Sequence, residues 1–268
     1  MDKQRTAPVD HTPGWPRAAI YFAPAADSAL HDFGADWLGR DALIGAPRPT
    51  PTVDGIAPER LAAITADARR YGFHATLRAP FHPADGVDIA RIIAAAEAFG
   101  GARKPFDLSL EVANHKGFLG LTPVQAPAAL GVLEADLLAH FDALVRPPSP
   151  DELARRRQAN LNPAQDAHLR RWGYPYVLDQ FHFHMTLTTR LRDPEELKTL
   201  FDALRARAAP VLAEPLRVDA IAVFVEAEKG ADFICAARCS FGAQTSQAPA
   251  LADQLSKLSQ TISTDPPA

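Results

Sequence analysis

The sequence of 268 residues predicts an α+β fold: two pseudo-symmetric β-α-β-β lobes with antiparallel sheets around a central cleft, plus a helical insertion. Three observations predict it. Strand and helix signals run in the same order twice along the chain. Each run holds a His-x-Thr strand followed, 31 residues after its histidine, by a proline opening the next strand: Pro105 after His74 and Pro215 after His184. Proline is tolerated at a strand's first residue, where its missing N–H does least harm. Each following pair of strands ends near a glycine-led segment, GFLGL at 117–121 and GADFICA at 230–236. Two copies of one supersecondary unit imply a single fold with a pseudo-twofold axis, not a solenoid, which needs at least three.

The elements follow in order. Residues 1–16, rich in Pro and Thr, read as a disordered lead. The first lobe, about 17–125, opens with the strand RAAIYFAP, with Ile20 and Phe22 on one face and Ala19 and Tyr21 on the other. DSALHDFGADWLGRDAL has helical spacing through Leu30, Phe33, Trp37 and Leu38, with Asp27 or Ser28 as N-cap. The prolines of PRPTPTVDGIAPER exclude regular structure. A short helix at about 58–69 then precedes the strand RYGFHATLRAPF, and a helix at about 88–99 precedes strands at about 106–112 and 117–121. The insertion, about 126–178, begins with a periodic helix broken at PPSP. Two shorter, charged helices follow, bearing Arg155, Arg156, Arg157, Arg170 and Arg171, then the aromatic turn Trp172, Tyr174 and Tyr176. The second lobe, about 179–242, consists of the strand DQFHFHMTLTTRL, a helix from Pro194 to Arg207 and strands over 216–226 and 231–241. Residues 243–268 read as a flexible polar tail.

Composition narrows the function classes. With 47% hydrophobic and 22% charged residues, the chain resembles a soluble globular protein. It has no run near 18 apolar residues and no apolar leader, so a cytoplasmic, membrane-free protein is expected. A net charge of −4 argues against gripping long nucleic acid and leaves room for a small phosphorylated ligand. No obligate protein partner is evident. Cys235 and Cys239, four apart on an expected strand, would share a face about 13 Å apart, too far for a disulfide. They match no zinc spacing and read as reduced structural thiols.

Alternation assigns the faces of the two motif strands. Tyr71, Phe73, Ala75 and Leu77 turn inward, while Gly72, His74, Thr76 and Arg78 share the opposite face. Likewise Phe181, Phe183, Met185 and Leu187 turn inward, leaving His182, His184, Thr186, Thr188 and Arg190 outward. Related by a pseudo-twofold, these strands would bring two histidines and two threonines into one cleft. Opening a phosphodiester needs a base on the attacking oxygen and an acid on the leaving one. Histidine, with an unperturbed pKa near 6.5, does either near neutrality. Threonine hydroxyls donate to non-bridging oxygens that gain charge in the transition state.

HATL at 74–77 and HMTL at 184–187 resemble the paired His-x-Thr-hydrophobic motifs of the two-histidine (2H) phosphoesterase superfamily. With their flanks YGFHATLRAPF, ARRRQANLNPAQDAHLRRWGYPYV and FHFHMTLTTRL, they are similar to a bacterial branch usually encoded beside phosphonate-degradation genes. The resemblance covers roughly residues 17–242. It implies His74 and His184 as acid and base, Thr76 and Thr186 as phosphate ligands, and neither metal nor organic cofactor. It also implies a cyclic nucleotide, a cyclic phosphate at an RNA end or a cyclic ribose phosphate as substrate.

Arg78, Tyr21 and Arg190 are candidate substrate-binding residues, each with a structural reading beside it: a strand-end arginine, a sheet neighbour of the motif strands and a second strand-end arginine. Lys116, at a hairpin tip, carries the same ambiguity. The other seven histidines, His11, His31, His82, His115, His140, His168 and His182, are read as structural, His182 with a rim role. The insertion arginines are read as a solvated helix face, and as a lid by hypothesis. Three alternatives stay open: a three-histidine metal site at His74, His182 and His184, a non-catalytic phosphate-ligand binding module, and an RNA end-processing phosphodiesterase or ligase.

Overall fold

In the computed structural model the described residues are 16–242. The expected lead over 1–16, apart from Pro16, and the expected tail over 243–268 lie outside them. The first half contains β1 (Arg17–Phe22), α1 (Ala29–Leu38), the small antiparallel pair β2 (Arg40–Asp41) and β3 (Ala46–Pro47), α2 (Pro58–Tyr71), β4 (Ala75–Phe81), α3 (Ile89–Gly101), β5 (Phe106–Leu108), β6 (Leu110–His115) and β7 (Phe118–Pro123). The insertion supplies α4 (Ala128–Phe141), α5 (Pro150–Arg157) and α6 (Pro163–Trp172). The second half contains β8 (Met185–Thr186), α7 (Pro194–Ala208), β9 (Leu216–Val218), β10 (Ala220–Glu226) and β11 (Ile234–Ser240).

Local chemistry sets several boundaries. Ser28 caps α1 by accepting from the His31 N–H, and Gly39 ends it in the left-handed region at φ 72°. Reciprocal capping boxes, Ser149 with Glu152 and Asn162 with Gln165, start α5 and α6, each with proline in the first turn. Asp193 starts α7 by accepting from two backbone N–H groups.

The class is the α+β one that the alternation predicts, with antiparallel pairing throughout the main sheet. Its seven strands run β11-β10-β1-β4-β8-β7-β6. The two repeats exchange their hairpins: β6–β7 of the first half flanks β8, whereas β10–β11 of the second reaches β4 through β1. Two pairings join residues to their own repeat equivalents. Ala75 faces Met185 between β4 and β8, and Asp107 faces Arg217 between β5 and β9. That register is what a pseudo-twofold axis through both pairs requires.

One face of the sheet carries the main core, where α3 packs on β10 and β11, α7 on β6 and α4 on β4. The other face carries a smaller cluster that includes Ala19, Tyr21, Phe224, Phe233 and Cys235.

Irregular backbone overturns two expectations of strand parity. The expected strand over 179–191 contracts to the two residues of β8, because the Leu187 and Thr188 N–H groups both turn onto the Leu119 carbonyl, at 2.9 and 3.2 Å. Thr188 is buried instead of facing outward, its hydroxyl accepting from the Leu119 N–H at 2.9 Å. In β11, Cys239 pairs with Ile221 but Cys235 with Phe224, so one extra residue separates them. The two cysteines therefore enter opposite clusters rather than sharing a face. Both are free thiols, and burial pushes each up to about 12.

Gly120 of β7, opposite Thr186, approaches neighbouring backbone most closely among the described glycines. A Cβ there would lie 2.8 Å from the Met185 carbonyl oxygen, and that atom is backbone. Gly120→Ala is expected to cost about 1–3 kcal/mol by overpacking. Urea denaturation reads it as a lowered midpoint, and an unchanged midpoint would show that β7 and β8 can separate freely.

Candidate functional site

The β4–β8 register builds the site. With Ala75 opposite Met185, one step along each strand puts His74 across from Thr186 and Thr76 across from His184. Directly opposed residues of antiparallel strands have Cβ atoms about 4.5–5.5 Å apart. The four side chains thus form a square on the face opposite the main core, each histidine beside a threonine of the other repeat. All four residues are half-buried.

Backbone contacts orient both rings alike. His74 Nδ1 lies 2.8 Å from the Gly72 carbonyl oxygen, and His184 Nδ1 lies 2.8 Å from that of His182. A carbonyl only accepts, so Nδ1 carries the proton in each ring and Nε2 keeps a lone pair in the neutral form. Gly72, at φ 78°, turns the chain between α2 and β4 and so presents the first of these carbonyls. The Thr76 hydroxyl donates to His74 Nε2 at 3.2 Å.

The surroundings differ between the repeats. His74 stacks on Tyr21 with ring centroids 3.8 Å apart, and Phe224 and Tyr71 each lie 6.3 Å away. Burial, opposed by the Gly72 hydrogen bond and reinforced by the nearby His184 charge, lowers His74 to about 4. His184 is flanked by Phe118 at 5.9 Å and His115 at 6.3 Å. Burial also lowers its pKa, with the charges of His115 and His182 adding to the effect.

Beside His184 and Thr76 opens a cleft of about 500 Å³. One wall is the tip of the β6–β7 hairpin, with His115, Lys116 and Phe118. Another comes from the insertion, which contributes Tyr174, Tyr176 and Val177. The buried Glu134 of α4 pins this segment, its carboxylate accepting from the Leu178 N–H at 3.2 Å. Burial raises that carboxyl to about 7. His115 and Phe118 were missed by sequence reasoning, because only the exchange of hairpins between repeats delivers them to β8. Lys116, at φ 52° on the tip, does line the cleft.

Three expectations for substrate-binding residues change. Arg78 does not share the face of Thr76. β1 pairs Tyr21 with Thr76 but Ile20 with Arg78, so a bulge in β4 turns Arg78 toward the main core and α4. There it is 3% exposed and donates to the Leu138 carbonyl at 3.3 Å, lining a cavity whose walls include neither His74 nor His184. Tyr21 does share the site's face, but it is 1% exposed and covered by the His74 ring, so it supports the histidine from beneath. Arg190 braces the hairpin tip, its Nε donating to the Lys116 carbonyl at 2.8 Å. The loss of regular strand after Thr186 sends it there.

His182 is exposed, and its carbonyl is what fixes the His184 ring. Among the described residues, no three His, Cys, Asp or Glu side chains gather in a way that could hold a metal ion. Nor, among them, is any helix long and apolar enough to cross a membrane.

Comparison with known proteins adds relatives at two levels. A Ribose 1,5-bisphosphate phosphokinase PhnN from Janthinobacterium sp. (strain Marseille) is 39% identical over 236 residues, 87% of this chain and 52% of the relative. One of the same name from Laribacter hongkongensis (strain HLHK9) is 36% identical over 218 residues, 81% of this chain and 50% of the relative. The chain thus spans about half the length of the curated relatives it matches. Among solved structures, E. coli LigT complexed with 3'-AMP overlaps at 13% identity and a TM-score of 0.38, covering 85% of this chain and 99% of that one. The family described as "Protein of unknown function (DUF1045)" matches residues 76–234, a span that holds Thr76, His184 and Thr186. That match covers more than half of the sequence, and the chain belongs to the DUF1045 family.

Proposed function

We propose that this protein is a metal-independent phosphodiesterase of the 2H type, opening a small cyclic phosphodiester by two-histidine acid/base catalysis. One observation carries the reading: two histidines, each immediately preceding one of two paired strands, each with Nδ1 tied to the carbonyl two residues earlier, and each beside a threonine of the opposite repeat. A pair of imidazoles held through Nδ1, each with its Nε2 lone pair turned to one face, is what an in-line displacement at phosphorus needs.

The roles divide by environment. His74, held neutral by burial at about 4, acts as base: its Nε2 takes a proton from water as the water oxygen bonds to phosphorus. His184 acts as acid: its Nε2 gives a proton to the ring oxygen as the second phosphorus–oxygen bond breaks. The product is a phosphate monoester with a free hydroxyl, and the two histidines have exchanged protonation states. Thr76 and Thr186 donate to the non-bridging oxygens. Resting Thr76 donates to His74 Nε2, a contact that the phosphate would replace.

The relatives' name supports a sugar phosphate over an RNA end. This chain contains no G-x-x-x-x-G-K-[ST] segment of the kind that cradles nucleoside triphosphates, so we do not assign it their kinase activity. What carries over is the kind of molecule handled, a multiply phosphorylated ribose, here in a cyclic diester form and within phosphonate catabolism. The acidic net charge of −4 also favours a small ligand over RNA. We place the reaction in the cytoplasm.

His74→Ala and His184→Ala are each expected to lower kcat by about 10²–10⁴, some 3–5 kcal/mol of barrier, without loss of the folded state. Steady-state turnover of cyclic phosphodiesters in the presence of chelator, with circular dichroism alongside, checks this. Full activity in either variant would reject the mechanism, and restoration of a silent enzyme by zinc or manganese would favour a metal site.

The pH profile gives a second check. His74 must be neutral, so activity falls as pH drops through about 4. His184 must be protonated, so activity falls as pH rises through its pKa, which burial holds below 6.5. The kcat/KM profile of the free enzyme should therefore peak between these limits. Bound phosphodiester anion favours the imidazolium, so the kcat optimum should lie at higher pH. A kcat/KM that climbs steadily from pH 7 to 9 would contradict these assignments.

A further inference from the structure

A second cavity, of about 230 Å³, lies between β4 and the insertion and shares only Tyr174 and Val177 with the catalytic cleft. Its lining contains five arginines, Arg78, Arg146, Arg156, Arg170 and Arg171, against two carboxylates, Asp142 and Glu152. Positive charge is therefore in excess by three, within a protein whose net charge is −4.

The arginines are not equally engaged. Arg171 is neutralised by Asp142 through two hydrogen bonds of 2.8 Å, and Arg170 pairs with Asp166 at 3.1 Å. Arg78 differs. It is 3% exposed, its Nη1 donates only to a carbonyl, and its buried Nε has no hydrogen-bond partner. Glu134 and Asp142 are near enough to act on it electrostatically, yet neither lies within ion-pair distance. Arg156 stands over the Tyr174 ring at 5.3 Å, the ring that partitions the two cavities, and is half-buried without an ion pair of its own. A buried guanidinium with an orphaned N–H is costly, and an anion supplying oxygens to it removes that cost. The bulge that withdraws Arg78 from the histidine face is what delivers it here.

We propose that this arginine cavity is a second anion site, reading a terminal phosphate monoester on the same substrate whose cyclic diester lies at the His/Thr square. The inference rests on the diesterase reading and sharpens it: the substrate carries two phosphoryl groups, one on each side of Tyr174. Arg78 Nε and the Arg156 guanidinium donate to the monoester oxygens. The five-arginine lining thus selects against cyclic diesters whose remaining end is an uncharged hydroxyl.

The test uses two cyclic diesters of ribose that differ only in a 5-phosphate, assayed with the full chain, with Arg156→Gln and with Arg146→Gln. Both variants change half-buried side chains, so folding should survive. Calorimetry with ribose 5-phosphate on the same proteins and on His184→Ala measures the site without turnover. The expected result is a kcat/KM ratio of about tenfold or more in favour of the 5-phosphorylated diester, collapsing toward unity in Arg156→Gln. Ribose 5-phosphate binding should be lost with Arg156→Gln and kept in His184→Ala. Turnover of both diesters with an equal ratio in all proteins would overturn the second site and leave the diesterase standing. Binding lost in Arg156→Gln and kept in His184→Ala, with no turnover of either diester, would uphold the anion site and reject the diesterase. Binding lost in His184→Ala but unchanged in Arg156→Gln would overturn the proposal.

Discussion

The pairing of Ala75 with Met185 is the contact on which the rest of this structure depends. It joins two strands of which one, β8, is only two residues long, and it determines which side chains of the two repeats meet. A slip of one residue would turn the His and Thr of one strand to the core face and its apolar residues to the cleft. So short a strand cannot fix this register by its own ladder. The flanking contacts do: β7 pairs with β8 through Gly120–Thr186 and Leu121–Met185, and Trp37 donates to the Leu187 carbonyl at 3.0 Å. The β5–β9 pair, closed by Asp107 and Arg217, repeats the same relation at a distance. Each hairpin belongs by sequence to one repeat and in space borders the other, so neither repeat can complete its sheet alone.

That arrangement explains why both imidazoles of the site are biased toward their neutral forms. Both imidazoles spend their Nδ1 proton on a backbone carbonyl, and both are driven toward the neutral form by burial. In the proposed reaction, the substrate's phosphate supplies the counter-charge that makes a second proton on one imidazole tolerable. The aromatic packing of Tyr21 and Phe224 against His74 removes water from one ring, while the hairpin tip and insertion leave a cleft beside the other.

Legibility in the sequence followed backbone regularity. The α+β class could be read because it depends on order and spacing, such as the equal intervals from His74 to Pro105 and from His184 to Pro215. The juxtaposition of His74, Thr76, His184 and Thr186 could be read because these residues sit where the period of two is undisturbed. Arg78, Thr188 and the pair Cys235 and Cys239 were misplaced for one shared reason. Each lies beyond a bulge or a frayed ladder, and one inserted residue inverts every face assignment after it. Nothing in the residue types at these positions announces the insertion. His115 and Phe118 escaped for a topological reason, since assigning a hairpin to the nearer repeat is the natural reading of order alone.

In the proposed reaction a symmetric frame must still produce an asymmetric outcome, because one imidazole has to take a proton and the other give one. The sheet breaks the symmetry at two equivalent positions. On the outer side of β4, Tyr21 of β1 stands opposite Thr76; on the outer side of β8, Gly120 of β7 stands opposite Thr186. A ring at the first position fills the space under His74 and strips it of solvent, which lowers its affinity for a proton. The absence of a side chain at the second lets the β7 and β8 backbones close together, and the nearest β7 ring, Phe118, stays 5.9 Å from His184 instead of stacking on it as Tyr21 stacks on His74. The insertion, which has no twin in the second repeat, then covers only one side of the square with Tyr174 and Tyr176. Pseudo-symmetry thus supplies two matched imidazoles on one face, and in the proposed reaction these local departures from it are what give them different tasks.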